Sequence, residues 1–550
     1  MPRFALFFFG LFIGFNLHAT VFEWVGGTGD WHNPINWQPQ GIPDGLDTAL
    51  IQSGTVQLNQ SWFVGRMELD AELRVGIGFS LNINESLLWA NGLIEGNLNT
   101  SDVVQTSFID GDLRTLRGRL ELRGTTTHTS GLLYIESGQA INIGAYQLTG
   151  GVIDVEESAD FTNFSHFFLS GGPDLALTGN GWFFNTAAST FSNENGPNNC
   201  QIGLQFEQAG TFEIHSSNLT FTKELALLRD FSYFGSSLQL ATQKVRIADD
   251  ILGIISIGYI GASWISSDSI LLENIILEVN ANWELNAPIE GDNSSSITVN
   301  NDMAWNAGNI AVDLTSVGNI TIPPSAQVSF EGSLFLNDGI IDQSGEWTFE
   351  GEIQNRNRHN LLAGFISFDG NQPTYRNLSD LSIQAVTEPL RPSANSNNGR
   401  LINDAPGGYI SYDAGEETWL LELDFENRAQ VDILAAAVVD FQGRLDDYFG
   451  INFVSAVEWR TQEAHFYYSP DITFPSLWRI QGPTTVQGFL NTFTDVILSD
   501  SISCSLGWRV SASTIIEGEY VDASMLVDGV SGFLDLPAGF APTTFTDDIE

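Results

Sequence analysis

Short apolar alternations, broken by Gly, Asn, Asp and Ser, run along almost the whole chain. Ala140-Ile141-Asn142-Ile143 and Ser333-Leu334-Phe335-Leu336 are typical. A period of two bounded by turn residues predicts strand, turn, strand. Helical patterns are scarce. Lys223-Glu224-Leu225-Ala226-Leu227-Leu228 and Ile433-Leu434-Ala435-Ala436-Ala437 are the two stretches expected to form a turn or two of helix. The richest apolar run after the N-terminus, Ile251 to Ile260, is about half the roughly 20 residues a membrane-spanning helix needs.

A loose repeat overlies the alternation. An apolar or Trp residue is followed by Gly and then by alternating apolars. Copies are Trp89-Ala90-Asn91-Gly92-Leu93-Ile94-Glu95-Gly96, Leu148-Thr149-Gly150-Gly151-Val152-Ile153, Leu169-Ser170-Gly171-Gly172, Trp305-Asn306-Ala307-Gly308 and Leu336-Asn337-Asp338-Gly339. Intervals of about 20 to 30 residues fit one coil of a solenoid. A coil of two or three short strands cannot bury its inner face alone. Coils stacked about 4.8 Å apart pair their strands in parallel and build a continuous core from inward Ile, Val, Leu and Phe. Gly at the corners permits positive φ. The expected fold is therefore all-β, a right-handed parallel β-helix of about 20 coils at roughly 25 residues each. Stacked antiparallel β-sandwiches are the alternative, because turn signals spaced about 8–12 residues apart suit them too.

The chain has 550 residues, 54 of them Gly, with only 16% charged and a net charge of −46. The acidity is spread along the chain. Such a field repels nucleic acid and anionic membrane, and it disfavours polyanionic substrates. We read it as a solubility device suited to a salty exterior. Cys200 and Cys504 would lie many coils apart, beyond the roughly 7 Å between Cα atoms that a disulfide spans, and are read as buried thiols.

The N-terminus carries a secretion signal. Arg3 precedes the apolar run Phe4 to Leu17, and Leu17-His18-Ala19 is an acceptable cleavage site; residues 1–19 are read as a signal peptide. Residues 20–60 form an expected Trp/Gly-rich cap and first coil. Residues 61–550 form the solenoid, with a divergent or truncated part from about 400. The mature chain opens with Trp24, Gly26-Gly27-Thr28-Gly29, Trp31, Asn36-Trp37, Gly41-Ile42-Pro43 and Asp47, ahead of Ala49-Leu50-Ile51.

From Trp24 to Ile51 this opening resembles that of bacterial secreted and autotransporter-passenger-like β-helix surface proteins. The resemblance implies a rod displayed outside the cell, structural or adhesive, with surface polysaccharide or other surface components as partners. It implies no catalytic residue. An autotransporter would close with a membrane barrel, whereas this chain closes with Thr546-Asp547-Asp548-Ile549-Glu550. Release, truncation or a separate export partner are the expectations that follow. Trp24, Trp31 and Trp37 could stack on sugars, but are read as covering an open solenoid end.

Chemical motifs are nearly absent. There is no zinc spacing, nucleophile elbow, P-loop or dinucleotide fingerprint. Asp110-Gly111-Asp112 and Asp446-Asp447 could offer oxygen ligands to calcium, yet are read as turn carboxylates. Arg114, Arg117, Arg119 and Arg123, near Asp112 and Glu121, could bind an acidic sugar or supply the base of a β-elimination. We read them as a solvated ladder, and Arg356, Arg358 and His359 likewise. No catalytic, cofactor or metal residue is assigned; calcium stays open without ligands. Two competing functions remain. A polysaccharide lyase or glycoside hydrolase would need a lateral cleft where Asp or Glu meets Arg. A carbohydrate-binding surface would need outward aromatics, for instance Trp89 and Trp305. Sequons such as Asn163-Phe164-Ser165 arise by chance in so Asn/Ser-rich a chain.

Overall fold

The computed structural model describes residues 19–535, apart from short internal stretches. Residues 1–18, within the expected signal segment, Asp110, Gly171, Gly172, the end of the apolar run at 258–260 and the terminal residues 536–550 lie outside the described residues. What is described is all-β, with a single 3-10 turn, Pro34–Asn36, as its helical element. No described helix is long and apolar enough to cross a membrane. The chain divides into two units, 1–211 and 212–550.

Each unit is a parallel β-solenoid, and between them they comprise about 19 turns. In the first, Gln105 pairs with Thr125, Thr125 with Ala145 and Ala145 with His166. These coils take roughly 20 residues each, fewer than the roughly 25 expected. Coil length varies within both units: Thr55 pairs with Glu72 and Thr28 with Thr55 in the first, and Ser296 with Asp313 and Thr374 with Arg400 in the second. The sandwich alternative is overturned, because the strands pair in parallel with the next coil. An antiparallel pairing does occur at Val21–Trp24 with Trp37–Gln38.

The two helical expectations are also overturned. Leu225–Leu227 is a strand beside Val245–Ile257, and Ile433 to Ala437 falls inside the strand Gln430–Asp447. Neighbouring coils offer each segment a full set of backbone partners, and that context overrides a weak helical preference.

Alternation decides which side chains enter the core. Glu346–Phe349 is representative, with Trp347 and Phe349 inside and Glu346 and Thr348 facing out. Successive coils place like side chains above one another, so aromatic rings stack. Tyr146, Phe167 and Phe191 form one column at 5.0 and 5.2 Å, tilted by 9° and 7°. Phe161, Phe183 and Phe206 form a second column at 5.1 Å per step, and the two columns meet edge to face. Offset and perpendicular ring contacts of this kind add to what area burial alone contributes.

Buried amides follow the same geometry. Asn142 donates to Asn163 at 2.8 Å, Asn163 to Asn185 at 2.8 Å and Asn185 to Gln208 at 2.9 Å. In the second unit a longer ladder runs Asn337, Asn355, Asn377, Asn403, Asn427 and ends on Asp447. Each asparagine also donates to a backbone carbonyl of the next coil, as Asn377 does to Tyr409 at 3.0 Å, whereas Gln208 donates to Gly210 of its own coil. The ladders thus satisfy polar groups at corners that are closed to water.

One corner requires glycine. Gly96, Gly118 and Gly138 stack in register, all with positive φ. A Cβ on Gly118 would sit 2.3 Å from the Gly96 carbonyl oxygen. Any side chain there would strain the backbone and clash with it at once.

At the N-terminal end, Val21–Trp24 and Thr28–Asp30 pair in parallel with Thr48–Ile51 and Thr55–Leu58. Trp37 packs edge-on against Trp24 and Trp31 at 5.1 and 4.9 Å, and its indole donates to the Trp31 carbonyl. All three rings are buried. They offer no free face for a sugar.

Candidate functional site

Arg114 is the first correction. It is not part of a solvated ladder but fully buried. Its guanidinium donates to the carbonyls of Trp89, Ser130 and Ile109 and lies 5.6 Å from the Phe108 ring. Burial lowers its pKa. The reason is parity: Arg114 shares its strand face with the inward Leu116, Leu120 and Leu122. Asp112 stays at the surface, and its backbone N–H donates to the Asn91 side chain.

His359 is the second correction. It is fully buried, while its neighbour Arg358 faces Asp380 at 3.4 Å and Arg356 donates to Gln354. The His359 Nε2–H donates to Gln343 Oε1 at 3.0 Å and its Nδ1 accepts from the Tyr375 hydroxyl at 2.8 Å. His128 has the same arrangement, with the Gly131 carbonyl and the Tyr146 hydroxyl. A protonated ring would oppose an N–H to a hydroxyl that must donate elsewhere. Burial drives the pKa of His128 down to about 4 and of His359 to about 3.

Asp446 and Asp447 cannot share a calcium ion in this arrangement, since adjacent strand residues face opposite ways. Asp446 faces out and accepts from Arg444 at 2.9 Å. Asp447 is buried, where its carboxylate accepts from Asn427, the backbone of Phe449 and Gly450, and Tyr468. Desolvation nevertheless raises its pKa. Among the described residues, no group of three or more His, Cys, Asp or Glu side chains is placed to hold a metal ion. Cys200 and Cys504 are both buried as expected, and sit in different units. Trp89 and Trp305 are core residues, so that pair provides no outward platform.

Among the described residues, two of the lateral hollows bring arginines together with carboxylates. The first, about 460 Å³, lies on the outer face of the strands Leu113–Leu122 and Leu132–Asn142. Arg119 and Arg123 grip the carboxylate of Glu121 from both sides, Arg119 at 2.9 Å. Partial burial works to raise the pKa of Glu121, but the two guanidiniums outweigh it and the net shift is down. Ile143 and the exposed Phe164 form the apolar rim. Arg117 stands apart, paired with Glu136 at 2.7 Å.

The second hollow, about 380 Å³, belongs to the other unit. Glu426 is nearly buried between Arg400 and Arg428. Arg444 holds Asp446, and the Tyr467 hydroxyl reaches the same oxygen at 3.3 Å. Tyr448 and Tyr467 stack at 4.1 Å beside this face.

Sequence reading missed Glu426, Arg400 and Arg444, because the contact of Arg400 with Glu426 joins different coils and leaves no local motif. It also missed Trp182. A signal existed there: Trp182-Phe183-Phe184 cannot all face the core of a strand. Phe183 is buried, while Trp182 and Phe184 face outward. No protein family, no curated protein and no solved structure matches the chain.

Proposed function

We propose that this protein is a secreted, cell-surface solenoid with a structural or adhesive role, displayed in the manner its Trp24–Asp47 opening suggests. The observation that carries this reading is the state of the charged side chains in the hollows. Glu121, Glu426 and Asp446 each lie against a guanidinium. A general acid needs a carboxyl whose pKa is raised toward the working pH, and Arg119 and Arg123 hold Glu121 the other way, below its ordinary value. An arginine base would need a lowered pKa at an accessible site. Arg114 has the lowered pKa but is buried, and the pKa values of Arg117 and Arg444 are raised by their carboxylate partners. The interior ladders and ring columns are what a rigid scaffold needs.

The competing reading is a polysaccharide lyase or hydrolase. One feature favours it, the convergence of Arg400, Asp424, Glu426, Arg444 and Asp446 around one hollow. A release assay on neutral and acidic polysaccharides separates the two. We expect no product above a heat-inactivated control. Product that disappears in Glu426→Gln or Asp446→Asn, with the melting midpoint unchanged, would overturn the scaffold reading.

A further inference from the structure

Most indoles of this protein are buried, and of those described only Trp62 and Trp182 are not. Trp62 is engaged at the N-terminal end, where its indole donates to the Pro43 carbonyl at 2.7 Å and its ring meets His32 edge-on. Trp182 is different. Its ring lies parallel to that of Phe184, 5.6 Å away and tilted by 9°. Each braces the other in an outward pose, so two rotamer-poor rings are fixed before any ligand arrives.

Parallel register carries this pair toward the first hollow. Trp182 lies above Asp160, Asp160 above Gln139, and Gln139 above Arg119. In the adjoining column, Phe184 lies above Thr162, Ile141 and then Glu121. The strip from the Arg119–Glu121 pair to the rings spans three steps, about 14 Å at roughly 4.8 Å per step. Its middle is also ordered: the Gln139 amide donates to Asp160 at 2.7 Å and to Thr162 at 3.2 Å. One end therefore holds planar, fixed donors and acceptors, and the other holds flat apolar rings.

We propose that this face binds a chain of neutral polysaccharide, with Trp182 and Phe184 as the ring platform and the Arg119–Glu121–Arg123 group as the polar end. The proposal rests on the non-catalytic surface reading above and names what the surface contacts. A pyranose chain has apolar ring faces and paired hydroxyls, which match rings at one end and bidentate groups at the other. Charge selects the neutral class. Arg119 and Arg123 are balanced by Glu121 and Asp160, and the whole chain is strongly acidic, so a polyanion finds no net attraction here. The strip is longer than one sugar ring, which favours a chain over a monosaccharide.

Affinity electrophoresis and calorimetry of the mature full-length chain against glucan, xylan, mannan and galactan, with polygalacturonate and alginate as the acidic arm, test the proposal. We expect at least one neutral polymer to bind, with little change between low and high salt. Trp182→Ala should weaken that binding by about tenfold, the scale of one aromatic contact of about 1.4 kcal/mol. Trp182→Phe should retain most of it, both Trp182 variants at an unchanged melting midpoint, and Arg119→Ala should weaken it separately, with a lower midpoint because Glu121 then keeps only Arg123. The proposal falls if no neutral polymer binds, if only the acidic polymers bind and salt abolishes it, or if Trp182→Ala binds as well as the parent chain. Product release from a bound polymer would overturn the non-catalytic reading instead. Adhesion to whole cells that survives Trp182→Ala would leave that reading intact and reject this site.

Discussion

Two buried histidines make the stability of this protein sensitive to mild acid. In the fold, His128 and His359 are neutral, each donating from Nε2 and accepting at Nδ1. In the unfolded chain a histidine titrates near 6.5. Below that value the unfolded chain takes up protons that the fold refuses, so stability falls as pH falls. The loss runs from 6.5 down to about 4 for His128 and to about 3 for His359. Between pH 7 and pH 5 the His128 contribution is about 2 kcal/mol. Melts of His128→Gln and the parent chain at both pH values check this. The variant should start less stable and lose less on acidification. Equal losses in the two proteins would mean that His128 does not titrate as described.

Among the elements, the amide ladder is the most informative to mutate. Asn377 receives from Asn355 and donates to Asn403 and to the Tyr409 carbonyl. Asn377→Ala removes both roles and strands polar groups on two coils, each costing about 1–3 kcal/mol when buried without a partner. Asn142 begins its own ladder, donating to Asn163 and the His166 carbonyl. Its truncation breaks fewer links. We therefore expect Asn377→Ala to cost about 2–4 kcal/mol, more than Asn142→Ala, with faster amide exchange in the adjoining coils. Equal, surface-like effects at both positions would show that the ladder adds nothing beyond its separate bonds. Because each coil touches mainly its neighbours, local exchange is the better probe than a single global midpoint.

Across the chain the governing quantity is the net charge of −46. Parallel stacking sets like charges one coil apart. Glu350 has its pKa raised by desolvation first and then by Glu331 and Asp369. Its carboxylate form is thus disfavoured in the fold, opposite in sign to Glu121 and Glu458, which lie between arginines. Salt screens such repulsion over about 10 Å at 0.1 M. The melting midpoint should rise with sodium chloride, and a fall would reject repulsion as the controlling term. Calcium at matched ionic strength separates screening from binding. A higher midpoint than in sodium would reveal a carboxylate site, and an equal one would leave the charge as a solubility device.

The all-β class follows from patterning alone, since a period of two needs a buried inner face and Gly and Asn mark the corners. That the strands stack as parallel coils, not as antiparallel sandwiches, is decided by their pairing with the next coil. Strand parity is also legible in the chain: Leu116, Leu120 and Leu122 place Arg114 inside, and Leu445 places Asp447 inside and Asp446 out. Charge argues for a solvated Arg114 and His359, and parity overrides it. Contacts between coils are another matter. Asn163 reaches Asn142 and Asn185, Glu426 reaches Arg400, and Trp182 rises over Asp160. These meetings depend on coil lengths, which differ between the step from Ser296 to Asp313 and the step from Thr374 to Arg400. No fixed sequence interval encodes such pairs. The alternation states which face a residue takes, while the accumulated lengths of the turns decide what lies above it.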